Sequence, residues 1–290
     1  MEFTFLGTAA AEGYPGLWCR CPYCQRARQL GGRNLRKTSS VHFADHCLID
    51  MGPDTFSQAE KFGVDLIDTD LLLVTHAHED HFYPQHLVWR QRALKAAGET
   101  PQQRFENGYP RQQDIPALHI FGSECVGKYL KQGLGDLTFE EAALDFTQVV
   151  PYRRYECKGV TFIPMTASHI DKDGSFGMIY YVSTRGRSFL YATDSGPYCQ
   201  ETRDCIAGLK VDAVIMEETF GKAQKGKYHQ TWDSAMEEID FFREKGIFKG
   251  QPRVFWTHIS PHKNPPYDDM VGMLKGTPVT LAYDGLRLDL

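Results

Sequence analysis

The segment Leu71-Leu72-Leu73-Val74-Thr75-His76-Ala77-His78-Glu79-Asp80-His81 decides the fold of this chain. Its first four residues are a continuous apolar run, which predicts a buried strand that ends at the surface. Residues two apart on an extended backbone project from the same side, so His76 and His78 can bind one metal ion. Asp80 and His81 follow on a turn and point elsewhere. The spacing therefore predicts that these two pairs hold two different metals.

The composition is that of an ordinary globular protein, with 42% hydrophobic and 24% charged residues among 290, and it allows a sizeable core. The formal net charge of −5 argues against a nucleic-acid binder that depends on a broad basic surface, although a local basic patch stays open. Residues 1–7 alternate like a strand and lack the features of an export signal. No apolar run approaches the roughly 20 residues of a membrane helix. We therefore expect a cytoplasmic protein that does not enter a membrane.

The chain shows no internal repeat, low-complexity tract or interdomain linker. A single domain of mixed strands and helices over residues 1–290 is therefore the simplest prediction. One stretch, residues 90–116, is rich in Gln, Arg, Lys, Glu and Gly and poor in apolar residues. We predict a polar insertion there, which is either a lid or interface arm or a solvated loop.

Three further apolar runs are predicted strands that lead to a potential metal ligand: 162–165, 189–193 and 254–257. His169 follows the first run after three small residues, and Asp194 and His258 directly follow the other two. A lone histidine at the end of a strand is more often a hydrogen-bonded structural residue. Three such positions together with the 76–81 cluster favour a shared metal site.

The order Asp50, His76-x-His78-x-Asp80-His81, His169, Asp194, His258 resembles the five signature motifs of the metallo-β-lactamase superfamily along the whole chain. The resemblance implies an α/β fold, a four-layer αββα sandwich, with a dinuclear metal site at the edge where its two sheets meet. It assigns one metal to His76, His78 and His169, and the other to Asp80, His81 and His258. It places Asp194 between both metals, and it makes Asp50 the residue that orients the histidine loop, as metal ligands generally require.

The implied site supports hydrolysis. Two metal ions about 3.5–4 Å apart can supply a hydroxide near neutral pH and stabilise charge on a phosphoryl or carbonyl oxygen. Nitrogen and oxygen ligands suit zinc or manganese, and iron is also compatible. The carboxylates to which we assign catalytic roles are Asp50, Asp80, Asp194 and Glu217.

A cysteine knuckle at residues 19–24 carries Cys19, Cys21 and Cys24. Without an export signal, this spacing favours a structural zinc site over disulfides. The knuckle resembles the branch of the superfamily that contains the cyclic-phosphate phosphodiesterase of bacterial phosphonate metabolism, the PhnP-like branch, and also the PqqB branch. In the first branch a downstream histidine completes a Cys3His site. Because His229 lies at the corresponding place, we predict that it is the fourth zinc ligand.

A second motif leaves the role of His229 open. The run Met216-Glu217-Glu218-Thr219-Phe220 resembles the His-Glu-Ala-Thr motif of the tRNase Z enzymes, whose glutamate and a downstream histidine protonate the leaving oxygen. Glu217 is kept, while methionine and Glu218 replace the histidine and alanine. His229 also fits the downstream histidine, although we favour the zinc-ligand role. In that case Glu217, Glu218 or His262 must supply the proton.

These features together predict a dinuclear metal-dependent hydrolase. Its expected substrate is a small or cyclic phosphodiester, as for a phosphoribosyl cyclic phosphodiesterase. One alternative is a PqqB-like or other redox or oxygenase member of the fold, and another is a tRNase Z-like RNA phosphodiesterase. The expected partner is the small phosphodiester substrate, and a homodimer stays open.

Overall fold

The structure is a computed structural model that describes residues 1–91, 98, 100–106, 115–222 and 226–290. Most of the polar insertion predicted at 90–116 lies outside the described residues, namely 92–97, 99 and 107–114. Its role therefore stays a prediction.

The first sheet has seven strands and is built mainly from the N-terminal half of the chain. Its strands are β1 (Glu2–Gly7), β2 (Ser40–Phe43), β3 (Cys47–Ile49), β4 (Leu71–Leu73), β5 (Leu118–Gly122), β6 (Leu144–Gln148) and β14 (Arg287–Asp289). They lie in the order β14-β1-β2-β3-β4-β5-β6. Strands β3 to β6 are parallel, whereas β14, β1, β2 and β3 pair antiparallel.

The second sheet also has seven strands, in the order β13-β12-β11-β10-β9-β8-β7. Its strands are β7 (Tyr155–Cys157), β8 (Val160–Ile170), β9 (Phe176–Thr184), β10 (Arg187–Ala192), β11 (Ala213–Glu217), β12 (Val254–Thr257) and β13 (Val279–Leu281). Strands β7 to β10 pair antiparallel, and β10 to β13 are parallel. Parallel strands bring their carboxyl ends to one edge, where ligands can meet.

The helices of the described residues are α1 (Pro22–Leu30), α2 (Thr55–Phe62), α3 (Pro101–Glu106), α4 (Glu124–Leu134), α5 (Gln200–Ala207), α6 (Trp232–Glu244) and α7 (Tyr267–Met273). Short 3-10 helices span Gly32–Asn34 and Pro84–Trp89. Ser123 caps α4 by accepting a hydrogen bond from the backbone N–H of Val126 at 3.2 Å. Thr231 and Ser234 form a capping box at the start of α6. These caps satisfy backbone donors that a helix leaves unpaired, so they fix where both helices begin.

Strand β4 shows how the layers form. Leu71 and Leu73 pack into the core between the two sheets, with phenylalanines from both of them. Leu72 points to the other side, where it joins the core beneath α4. The second sheet likewise packs its outer face against α6 through residues such as Ile239. Because both faces of β4 are buried, its sequence is continuously apolar, and the predicted αββα sandwich is confirmed.

The structure corrects one strand boundary and adds elements that the sequence pattern did not predict. His169 does not follow its strand but lies within β8, beyond a register shift between Thr166 and Ile170. Strands β6, β7, β13 and β14 and helices α5 and α7 were missed, because short, partly exposed elements show little hydrophobic periodicity. None of the helices within the described residues is long and apolar enough to cross a membrane.

Candidate metal centre

Three site residues have left-handed backbone conformations at the ends of strands. The φ angles of Asp50, Asp194 and His258 are 61°, 50° and 55°. This conformation costs a non-glycine residue roughly 1–2 kcal/mol, and such strain concentrates at functional sites. Each residue turns the chain out of its strand and so directs its side chain towards the edge of the sheets.

The first group of potential ligands consists of His76, His78, His169 and Asp194, whose ligand atoms all lie within 4.8 Å of one another. His78 Nδ1 is 2.9 Å from His76 Nε2 and 3.2 Å from His169 Nε2. His76 Nε2 is also 3.1 Å from Asp194 Oδ2. The structure thus brings together the four residues that the superfamily resemblance assigned to the first metal.

The second group consists of Asp80, His81, Asp194 and His258, again within 4.8 Å of one another. His81 Nε2 lies 3.2 Å from His258 Nε2 and 3.3 Å from both Asp80 Oδ2 and Asp194 Oδ2. Asp194 belongs to both groups. It therefore occupies the position from which one carboxylate can contact two metal ions.

The charges of these side chains suit metal binding. Burial raises the pKa of Asp194 and Asp80, but the neighbouring histidines outweigh it and hold both carboxyls well below their usual range. Burial lowers the pKa of His169 to about 4. Metal ions require ionised carboxylates and neutral imidazoles, which is the state of both carboxyls and of His169. Burial also lowers the pKa of His81, but Asp80 and Asp50 outweigh it and hold this pKa well above its usual range, so a metal ion would displace a proton from His81.

Asp50 positions the histidine loop, residues 75–81, through contacts with both of its ends. It is fully buried, and its Oδ1 accepts a hydrogen bond from the backbone N–H of Thr75 at 2.8 Å. Its Oδ2 lies 2.7 Å from His81 Nδ1. Because Nδ1 is engaged in this way, His81 presents Nε2 to the metal centre, as outer-shell carboxylates commonly arrange.

Asp171 is a second support that sequence reasoning missed. It is buried, and its Oδ1 accepts the backbone N–H of Ala77, the residue between His76 and His78, at 2.9 Å. Its Oδ2 accepts a hydrogen bond from Ser123 Oγ at 3.2 Å. An aspartate two residues after His169 was the available signal, but its contact to the histidine loop depends on the packing of β8 against β4.

Glu217, which is fully buried, and His229, which is half-buried, form a pair beside the two ligand groups. His229 Nδ1 lies 3.0 Å from Glu217 Oε2 and 2.9 Å from Asp194 Oδ1. Burial lowers the pKa of His229, but the two carboxylates outweigh it and raise the pKa to about 11. Thr219 donates a hydrogen bond to the same Glu217 oxygen and lies 2.9 Å from His258 Nδ1. The two carboxylates therefore favour the protonated form of this imidazole.

Glu218, the other acidic candidate for proton donation, is fully buried. Burial and the adjacent charge of Glu217 raise the pKa of Glu218 well above its usual range. The contacts described above place Glu217, rather than Glu218, against His229.

The prediction that His229 is the fourth ligand of the cysteine site is wrong. Its Nδ1 contacts Glu217 and Asp194, and close packing keeps it there. A Cβ on Gly196 would lie only 2.4 Å from the carbonyl oxygen of Lys227, so glycine lets the loop after Asp194 touch the segment that carries His229.

His262 takes the place beside the cysteines. Its Nδ1 is 3.6 Å from Cys19 Sγ, and Cys19, Cys21 and His262 have ligand atoms within 4.8 Å of one another. Cys21 Sγ caps α1 by accepting the backbone N–H of Cys24 at 3.5 Å. Burial raises the pKa of Cys21, but this and other hydrogen bonds lower it overall. Two cysteines and one histidine that lie this close together fit a structural zinc ion, whereas Cys24 is not part of this group of ligand atoms.

An αββα sandwich with histidine and aspartate ligands at the ends of its strands defines the class of proteins with the metallo-β-lactamase fold. The family model described as beta-lactamase superfamily domain matches residues 46–259. The chain therefore belongs to this family, and its matched region spans the motifs from β3 to His258. No curated protein matches the chain.

Solved structures similar to this chain cover nearly all of it. A structure described as a new diphosphatase from the PhnP family is 21% identical, with a TM-score of 0.71 over 100% of this chain and 97% of its own. Zn²⁺-bound PqqB from Methylobacterium extorquens is 15% identical, with a TM-score of 0.69 over 100% of both chains. The human short-form tRNase Z is 19% identical, with a TM-score of 0.63 over 100% of this chain and 99% of its own. Likeness at these identities shows the shared fold.

Proposed function

We propose that the protein is a metal-dependent phosphodiesterase that acts on a small phosphodiester. The observation that carries this proposal is the contact between buried Glu217 and half-buried His229 beside the two ligand groups. An alkoxide leaves phosphorus only with difficulty unless it receives a proton, and a positioned acid contributes about 10²–10⁴-fold to such a step. An imidazole that Glu217 holds beside the ligand groups is placed to supply this proton.

Divalent ions, zinc or manganese in our proposal, would be held by the two ligand groups and would supply a hydroxide nucleophile and positive charge for the phosphoryl oxygens. The protein's own residues position the histidine loop and transfer the proton. Asp50 and Asp171 hold the histidine loop in place, and Glu217 keeps His229 protonated through Nδ1. Nε2 of His229 is then the nitrogen that donates its proton to the leaving oxygen. After that transfer, Glu217 stabilises the returning proton on His229.

The preferred substrate in this proposal is a cyclic phosphate. The cysteine knuckle supports it, since Cys19, Cys21 and Cys24 resemble the PhnP-like branch and the structure places His262 beside them. One similar structure is described as a diphosphatase of that family, so diphosphate esters belong in the same substrate screen. Both classes present a phosphoryl group and an oxygen leaving group to the same centre.

The test starts with protein purified without added metal, whose metal content is measured by mass spectrometry. The metal is then removed with a chelator, and zinc, manganese or iron is returned separately before assay with bis(nitrophenyl) phosphate, cyclic phosphates and diphosphate esters. We expect zinc or manganese to restore hydrolysis. Bound iron with oxygen consumption and no hydrolysis would instead support the redox alternative and refute the proposal.

A further inference from the structure

A cavity of about 540 Å³ lies next to the metal centre. Its walls come from β8, the start of β9, the start of α5 and the segment 226–229. Ligand pockets for small molecules have volumes of roughly 300–1,000 Å³, so a nucleoside fits in a space of this size.

Two walls of the cavity continue directly into the site. Ser168 lines the cavity and precedes His169, while Tyr228 lines it and precedes His229. The carbonyl oxygen of Tyr228 lies 3.4 Å from His169 Nδ1. The backbone that lines the cavity therefore continues into His169 on one side and into His229 on the other.

Three partly exposed aromatic side chains converge on this cavity. Tyr152, Phe176 and Tyr228 are 39%, 51% and 39% exposed. Tyr152 is held in place because its hydroxyl lies 3.1 Å from Thr202 Oγ1. Aromatic faces left open around one concave site are platforms on which planar rings stack.

Two charged side chains, Lys227 and Glu201, also line the cavity. Lys227 lines it, and its Nζ lies 4.9 Å from the ring centre of Tyr228, so a positive charge stands near the aromatic wall on the segment leading to His229. Glu201 lines the cavity as well. Its carboxylate can accept hydrogen bonds from a ring amino group or a sugar hydroxyl.

We propose that this cavity binds the nucleoside part of a nucleoside phosphodiester, with the base against Tyr152, Phe176 and Tyr228 and the phosphate towards Lys227 and the metal centre. This inference rests on the proposed function and names its substrate class. It goes beyond phosphodiester cleavage itself, which needs only the metal ligands, Glu217 and His229.

The kinetic test uses two substrates with the same reacting group, the vicinal cyclic phosphate of adenosine and the cyclic phosphate of glycerol, which has no ring to stack. The variants are Phe176→Ala in the cavity and Phe56→Ala on α2, an exposed phenylalanine that lies outside it. Loss of one stacking partner costs about 1–3 kcal/mol, so Phe176→Ala should raise KM for the adenosine substrate roughly 5- to 160-fold. KM for the glycerol substrate should not change, and Phe56→Ala should change neither.

A binding test separates failure of the subsite from failure of the proposed function. Adenosine monophosphate and adenosine are each titrated calorimetrically into the wild-type protein, Phe176→Ala and Lys227→Met. We expect Phe176→Ala to weaken binding of both adenosine monophosphate and adenosine, and Lys227→Met to weaken binding of the monophosphate only. If wild type hydrolyses none of the cyclic phosphates, the diphosphate esters and bis(nitrophenyl) phosphate, the proposed function fails, and the titration alone decides on the cavity. Equal affinities for wild type and Phe176→Ala, or an equal rise of KM for both substrates, would overturn the inference.

Discussion

At the scale of residues, the candidate metal centre depends on left-handed backbone conformations that residues other than glycine rarely adopt. Asp50, Asp194 and His258 leave their strands with φ between 50° and 61°. Each position combines an unfavourable backbone with a side chain that contacts the site. The interactions of these side chains must therefore offset the cost of the strain.

Asp194→Asn should remove metal binding and hydrolysis together. Asparagine tolerates the left-handed backbone at this position, but it lacks the charge shared by both ligand groups. We expect metal content and kcat/KM for bis(nitrophenyl) phosphate to fall by at least about 100-fold, since even outer-shell changes cost about 10–100-fold. Circular dichroism should show an unchanged fold, and full activity of this variant or of His76→Ala would refute the assigned site.

Asp171→Asn tests the support that lies outside the metal ligands. It weakens the hold on the Ala77 N–H, so we expect about 10–100-fold weaker metal binding, the usual cost of losing an outer-shell partner. Competition with a chelator measures the affinity, and the absorption spectrum of the cobalt-substituted protein reports ligand geometry. The matched control is Asp173→Asn, on the same turn, whose carboxylate bonds Ser175 instead. Identical spectra and affinities for both variants would mean that Asp171 does not position the loop.

His229→Ala should affect substrates according to their leaving group. Without the proton donor, an alkoxide leaving group should be expelled about 10²–10⁴-fold more slowly, whereas nitrophenolate, which leaves without a proton, should be nearly unaffected. Steady-state rates with a series of phosphodiesters of rising leaving-group pKa provide the measurement. An equal loss for every substrate would show that His229 acts by holding the site rather than by donating a proton.

At the scale of elements, the cysteine knuckle joins the two ends of the chain. Cys21 begins α1, and His262 belongs to the loop that follows β12 and the ligand His258. An ion pair between Arg26 and Asp269, 2.6 Å apart, connects the same α1 to α7. A zinc ion held by the knuckle would therefore stabilise contacts between distant segments rather than take part in the reaction.

Cys21→Ser should lower the melting temperature more than the turnover of the folded protein. A structural metal contributes its binding free energy to folding, so the variant should also contain one zinc fewer. Cys205→Ser on α5 is the matched control, because this half-buried cysteine is not among the clustered metal ligands. His262→Ala should behave like Cys21→Ser, and an unchanged melting temperature and zinc content in both would remove the proposed zinc site.

At the scale of the whole molecule, Asp284 in the segment before β14 connects segments of the first sheet and α2 that are far apart in sequence. Asp284 accepts hydrogen bonds from Thr8 Oγ1 at 2.6 Å, from the backbone N–H of Lys37 at 2.7 Å and from Gln58 Nε2 at 2.8 Å. Burial nonetheless raises the pKa of Asp284 to about 6, although Thr8 and Arg36 act in the opposite direction. Between about pH 3.8 and pH 6, the folded protein therefore retains a proton on Asp284 that the unfolded chain releases.

This difference in pKa predicts how stability depends on pH. The unfolded carboxyl ionises near its ordinary value of 3.8 and the folded one near about 6, so the contribution of Asp284 is largest below pH 3.8 and is lost as the pH rises to about 6. One pKa unit corresponds to about 1.4 kcal/mol, which gives a loss of about 3 kcal/mol. The unfolding free energies of wild type and Asp284→Asn are measured with urea at several pH values in this range. As the pH rises, wild type should lose about 3 kcal/mol relative to the variant. A constant difference would contradict the raised pKa.

Much of the candidate metal centre could be predicted because most of its residues are close together in sequence or directly follow a strand. His76, His78, Asp80 and His81 lie on one strand end and turn, where side-chain direction follows from sequence spacing. The continuous apolar runs of β4, β10 and β12 likewise indicate strands buried on both faces. The polar segment 144–148 gave no such signal, and its strand β6 forms because β5 offers an unpaired edge.

The sequence by itself determined the class of fold and indicated residues that could bind metal, because buried strands and the residues directly after them are specified by local patterns. Only the tertiary structure decided between His229 and His262. Both lie more than 200 positions after the cysteines, and spacing over such a distance says nothing about which of them returns to the knuckle. The close packing of Gly196 against the 226–229 segment holds His229 at Glu217, and the loop after β12 brings His262 to Cys19.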